Sequence, residues 1–272
     1  MAVPDPGARP TTPSDALFPG LTSRRSGPNT GGDAGPRLLV VVAHPDDETF
    51  GTGSLLLRAA AEGYRTAVCC ATRGEAGDPT PGTVVGVGGL GALREAELHA
   101  AATLLGVDTV RLLDFTDSGM VGDPAPGTLA AAAPDAVLAE VAACVDDLSP
   151  DVIVTLDGAD GHRDHVVVRD ATVAVGDDRG IPVWLHCLPR ELMQQWVDHM
   201  NAHRPQTEHL TLGDLGTPDE LIEHRLDTTP FLADRERAIT LHGSQSSPFE
   251  GLPAQLRRAF LTSEHLRRPP AR

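Results

Sequence analysis

Residues 37–48 read RLLVVVAHPDDE. The first seven, 37–43, are a nearly unbroken apolar run. Such a run predicts a strand buried on both faces, as in a parallel sheet covered by helices on each side. Directly behind it, His44-Pro45-Asp46-Asp47-Glu48 places one imidazole and three carboxyls. The same alternation then repeats. Helices are expected over 47–62, 90–105, 134–148 and 162–175, and strands over 66–71, 110–115, 151–156 and 181–188. Regular alternation predicts an α/β fold: a Rossmann-like, mostly parallel sheet with helices on both faces. Ligands of such sheets bind at the carboxyl ends of the strands. Beyond residue 190 the pattern predicts a small helical C-terminal part, with helices near 190–203, 230–242 and 253–266 and a strand near 221–228.

Residues 1–36 hold seven Pro and six Gly with little periodicity. Such a composition buries too little apolar surface to offset ordering entropy, so a flexible N-terminal tail is expected before a single domain over 37–272. The chain carries 22 basic and 38 acidic residues, a formal net charge of −16. All 22 basic residues are Arg. Without Lys there is no Walker A phosphate loop and no Schiff-base enzyme. The negative charge argues against a nucleic-acid partner. No run approaches a membrane span of ~20 apolar residues. The four Cys form no CxxC pair and read as reduced core thiols of a cytoplasmic protein, with Cys69 and Cys70 on opposite faces of one strand. Residues 86–91 (GVGGLG) match GxGxxG, but they follow a long Pro/Gly loop over 78–89 rather than a strand. A dinucleotide site is therefore not expected, and the loop suits a mobile lid.

A second polar cluster, residues 157–165 (DGADGHRDH), follows the fourth expected strand. His44 and Asp47, three apart at a turn, can reach one ion. His162 and His165, i and i+3 on a helix, can face one pocket. His and carboxylate donors with an open position suit catalytic Zn2+, and also Fe2+.

The two clusters, HPDDE at 44–48 and HRDH at 162–165, resemble the paired motifs of the PIG-L / LmbE-like zinc-dependent N-deacetylases. Thr72-Arg73-Gly74-Glu75, Arg94 and Glu97, Asp117-Ser118-Gly119-Met120 and His242-Gly243-Ser244-Gln245 agree in order. The resemblance covers about residues 37–250. It implies His44, Asp47 and His165 as metal ligands and Asp46 as general base. It implies His162 as the group that stabilises the oxyanion and protonates the leaving amine, with Asp164 orienting it. It also implies Glu75, Arg94 and Asp117 as substrate contacts. The implied activity is removal of an N-acetyl group from an N-acetylglucosamine-type amino sugar or its conjugate. An amidase for a larger, mycothiol-type conjugate and a non-enzymatic sugar-binding protein are the alternatives. Without Lys, any fixed cation gripping an anionic substrate must be Arg, with Arg73 and Arg94 the candidates. His242 and Gln245 read as packing the C-terminal part onto the site, and His186 and His265 as structural.

Overall fold

The computed structural model describes residues 17–18, 35–120, 122–206, 210 and 213–270. Among these, seven strands form one sheet in the order β3-β2-β1-β4-β5-β7-β6. The strands are β1 (Arg37–Val42), β2 (Arg65–Cys70), β3 (Thr109–Leu112), β4 (Val152–Leu156), β5 (Val183–His186), β6 (His224–Asp227) and β7 (Ser263–Arg267). The first five run parallel, and β7 lies antiparallel between β5 and β6. The helices are α1 (Asp47–Phe50), α2 (Gly53–Ala61), α3 (Gly89–Leu104), α4 (Pro134–Leu148), α5 (Arg163–Arg179), α6 (Arg190–His203), α7 (Leu232–Ile239) and α8 (Ala254–Leu261). The α/β, mostly parallel architecture is the one the alternation predicted. None of these helices is long and apolar enough to cross a membrane.

The continuous apolar run of β1 follows from its two covered faces. Leu39 and Val41 join one core layer with residues of α4 and α5. Leu38, Val40 and Val42 join the other with α2 and α3. Cys69 and Cys70 separate in the same way, and all four Cys are free and buried. The strand order reverses beside β1, because β2 and β3 extend one way and β4 and β5 the other. β1 pairs directly with β4, Leu38 through Val41 against Val152 through Thr155. The loops leaving these two strands therefore open side by side at the switch point, where α/β sheets bind ligands.

Two expectations need correction. The helix expected over 47–62 is two helices. Arg235 takes the carbonyls of Phe50 (2.6 Å) and Gly51 (3.4 Å), which a continuous helix would have used itself. A Cβ on Gly51 would lie 2.8 Å from both the Asp47 carbonyl oxygen and Leu156 Cδ2, so only glycine passes the end of β4 here. The helix expected over 253–266 stops at Leu261, and 263–267 is β7 instead. Its sequence, SEHLR, has no apolar alternation because its buried partners are polar. Most of the expected tail lies outside the described residues; of its residues, Leu17 and Phe18 are buried against the α2/α3 core layer, with Phe18 edge-on to Tyr64.

Glu264 of β7 is fully buried and meets Arg235 at 2.9 Å and His186 at 2.5 Å. Removing one member of a buried pair strands the other charge, at about 3–5 kcal/mol. Arg235→Ala should accordingly lower unfolding stability by about that amount in urea titrations. A pH dependence follows from the same cluster. Burial and then the charge of His186 push His265 down to about 4. Burial opposes the charge of Glu264, but Arg235 and His186 prevail and hold its carboxyl below the usual range. For both groups the unfolded chain binds more protons as pH falls. Stability should therefore drop from pH 6.5 toward 4 by up to about 1 kcal/mol per unit from His265, and further once Glu264 protonates. The slope should be shallower in His265→Gln protein, and an unchanged slope between pH 6.5 and 4 in that variant would contradict this.

Candidate metal centre and active site

Both strand-end clusters face one cavity of about 750 Å³. His44, Asp46, Asp47, Arg94, Asp117, His162 and His165 all line it. His44 leaves β1, and Asp47 opens α1. The Asp47 carboxylate turns back to accept the amides of Ala43 (3.2 Å) and His44 (2.9 Å), which fixes it at the turn. Its Oδ2 then lies 3.5 Å from His44 Nδ1 and 3.2 Å from His165 Nε2.

The far nitrogen of each imidazole is held by carboxylate. His165 Nδ1 meets Asp160 at 2.6 Å. His44 Nε2 meets Asp164 at 3.2 Å and Asp117 at 3.4 Å. Metal-ligating histidines are oriented in this way, by a carboxylate on the nitrogen that does not ligate. His165 Nε2 is buried and makes no hydrogen bond. Four carboxylates around two imidazoles form a surrounding that favours positive charge. Burial opposes the charge of His165, but Asp160 and Asp47 prevail and raise it to about 10. Burial likewise opposes the charge of Asp47, yet His165 and His44 keep it well below the usual carboxylate range.

His162 differs from the other two. It is the N-cap of α5, and its Nδ1 accepts the Asp164 amide at 3.1 Å. That bond assigns the proton of the neutral ring to Nε2, making it a donor. Burial, followed by the charges on His44 and His165, lowers His162 to about 4, so the ring is neutral at pH 7. The ligand atoms of His44, His162 and His165 lie close enough to share an ion, and so do those of His44, Asp117 and Asp164. In the first set, however, the Nε2 proton leaves His162 no free lone pair.

Asp46 has φ 131°, a region rare outside glycine, at a price of about 1–3 kcal/mol. The surroundings enforce it. Its amide donates to Glu48 Oε2 (2.9 Å), and its carboxylate meets Arg94 at 3.2 Å. Arg94 is held in turn by Gly74 O and by Gln245, whose Nε2 reaches Pro45 O at 2.9 Å. Buried Glu48 also takes His242 Nε2 at 3.0 Å, and Glu97 holds the Ser244 amide at 2.7 Å. Residues 242–245 thus brace the Asp46 turn from behind. Burial raises Asp46 to about 6, more than Arg94 lowers it.

Several expected residues sit differently. The Asp164 carboxylate does not orient His162; it faces His44 and the Ser118 amide (3.0 Å), and only its backbone meets His162. Glu75 is exposed, does not line the cavity, and accepts the Asp117 amide at 3.2 Å. Arg73 pairs with Glu95 (2.8 Å) and Asp114 (3.3 Å) rather than facing the cavity. Asp117 lines the cavity but points Oδ1 at His44. The loop 78–89 is tied at its base, where Thr80 bonds Ser244 O (2.9 Å) and Gly243 O (2.8 Å). Asp160 carried no role in the sequence reading, although it stands inside the quoted cluster. Asp160→Asn should weaken zinc binding about 10–100-fold by freeing the His165 ring, as read by competition with a chromophoric chelator.

The family described as PIG-L: GlcNAc-PI de-N-acetylase matches residues 39–175. The chain is 35% identical over 237 residues to the 1D-myo-inositol 2-acetamido-2-deoxy-alpha-D-glucopyranoside deacetylase of Thermobifida fusca (strain YX), covering 77% of this chain and 83% of that protein. This chain belongs to the PIG-L family of deacetylases. In fold it is similar to the A40926 pseudoaglycone deacetylase Dbv21, with TM-score 0.60, 19% identity and coverage of 87% and 99% of the two chains. It is also similar to GalB, the 4-carboxy-2-hydroxymuconate hydratase of Pseudomonas putida KT2440, with TM-score 0.56, 17% identity and coverage of 87% and 97%. The fold therefore hosts more than one chemistry, and function lies in the site it carries.

Proposed function

We propose that this protein is a metal-dependent hydrolase that removes the N-acetyl group from an N-acetylglucosamine-type amino sugar or its conjugate. The observation that carries the reading is the position of Asp47 Oδ2 between His44 Nδ1 and His165 Nε2, with both outer nitrogens held by carboxylates. These three side chains would hold Zn2+; Fe2+ suits the same donors. When bound, the ion supplies Lewis acidity, polarising the acetyl carbonyl and acidifying water.

The remaining steps fall to the chain. Asp46 accepts the proton of the attacking water, and a base near 6 suits that task at neutral pH. Arg94 fixes its carboxylate toward the cavity. His162 offers Nε2–H to the carbonyl oxygen as negative charge builds there, a role that needs the neutral ring. Asp46, once protonated, returns its proton to the leaving nitrogen. This differs from the role that the family resemblance implies for His162; with Nδ1 accepting the Asp164 amide, the one proton of the neutral ring is on Nε2 and is already given to the carbonyl oxygen. The relatives' named substrate, a glucosaminyl inositol, places the amide on a glucosamine ring, and the same amide is assigned here. The test is acetate and free-amine release from a panel of N-acetylglucosaminides by zinc-loaded protein. Release abolished by chelation and restored by zinc is expected; no release across the panel with zinc bound would overturn the reading.

A further inference from the structure

Arg235 is a destabilising choice for the place it fills. It is buried where α7 packs on α1 and α2, and its Nε makes no hydrogen bond among the described residues. Taking a guanidinium out of water is unfavourable, and apolar side chains often replace a buried ion pair without loss of stability. Sealing this junction therefore does not need an arginine. What an apolar side chain cannot do is take the carbonyls of Phe50 (2.6 Å) and Gly51 (3.4 Å) with Nη2. Nη1 is turned the other way, to Ser54 Oγ (3.2 Å) and Glu264 (2.9 Å), which fixes the guanidinium plane.

The peptide between Phe50 and Gly51 carries this grip to the site. Its carbonyl accepts from Arg235, and its N–H, on Gly51, donates to the Asp47 carbonyl at 2.8 Å. The Phe50 amide donates to the Asp46 carbonyl at 2.6 Å. Hydrogen bonds in such a chain polarise and strengthen one another. In a continuous helix the carbonyls of Phe50 and Gly51 would instead accept the amides of Ser54 and Leu55, four residues on. That continuous helix is what the sequence pattern over 47–62 favours. Joining α1 to α2 would turn Asp46 out of φ 131° and draw the Asp47 carboxylate from between His44 and His165. A strained turn persists only when its surroundings over-determine it. We propose that Arg235 is a positioning residue for the reaction: through the 50–51 peptide it holds Asp46 and Asp47 where metal binding and proton transfer need them. The inference rests on the deacetylase reading for the roles of those two carboxylates alone.

Two variants isolate the clamp. Glu264→Gln and Glu264→Gln/Arg235→Met both lack the buried ion pair, and both should melt below the wild type. Only the second lacks donors to Phe50 and Gly51. At saturating zinc, with N-acetylglucosaminyl inositol as substrate, the double variant should show kcat about 10–100-fold below that of Glu264→Gln, with KM within about twofold. Chelator competition should show zinc bound about 10–100-fold more weakly in the double variant. Arg235→Lys, whose ammonium still offers donors to the carbonyls, should stay within about fivefold of wild type in both. In metal-free protein the Phe50 and Gly51 amides of the double variant should exchange hydrogen about tenfold faster than in Glu264→Gln, relative to β1 amides. A double variant that matches Glu264→Gln in kcat, zinc affinity and exchange overturns the proposal and leaves Arg235 a structural role only. A loss in Arg235→Lys as large as in the double variant also overturns it. If no protein releases acetate, the deacetylase reading fails, and zinc affinity and exchange decide this inference. If a variant does not fold, wild-type exchange decides: a Gly51 amide as slow as those of β1 supports the clamp, and one about tenfold faster overturns it.

Discussion

Asp46→Asn is expected to lower acetate release by about 10²–10⁴-fold, the range for loss of a general base, while the protein still binds one equivalent of zinc. The side chain is nearly isosteric and keeps one oxygen for Arg94, so the turn should survive. Only the capacity to take a proton is lost. The three proposed ligands lie elsewhere: Asp46 meets Arg94, whereas Asp47 meets the two imidazoles. Turnover and metal content should therefore separate. A fall below tenfold, with zinc retained, would mean that another group accepts the proton. Joint loss of zinc and turnover would place Asp46 in the metal site instead.

His165→Ala and Asp47→Ala should each reduce zinc affinity by more than about 100-fold, beyond the effect of losing an outer partner, and abolish acetate release with it. Asp47 is the shared neighbour of both imidazoles, and its removal leaves His44 and His165 with no carboxylate between them. Asp117→Asn provides the contrast. It keeps a contact to His44 Nε2 and belongs to the other set of donors, His44, Asp117 and Asp164. Chelator competition on the three variants tells the two sets apart. Loss of zinc in Asp117→Asn alone would move the ion to the far side of His44.

The parts of the fold that were legible in the sequence are those in which burial and periodicity coincide. β1, β2 and β4 are apolar on both faces, α4 and α6 are bounded by Pro134 and Pro189, and each reads clearly from composition. β7 was not legible, because its inward residue Glu264 is stabilised by Arg235, 29 positions earlier, and no local pattern encodes that partner. The break after α1 has the same origin, since a distant arginine takes the helix carbonyls. At the site, the ligand candidates and Asp46 stood out as two dense clusters at strand ends. What their neighbours do was not visible. Spacing cannot tell that the Asp164 carboxylate turns to His44 rather than to His162, or that Asp160 sits behind His165.

Anomalous diffraction from zinc-loaded crystals tests the central claim most directly. One peak is expected within coordination distance of His44 Nδ1, Asp47 Oδ2 and His165 Nε2, at about 2.0–2.2 Å from each, with His162 Nε2 and the Asp46 carboxylate facing it and unligated. A peak between His44 Nε2, Asp117 and Asp164, or one ligated by His162, would contradict it.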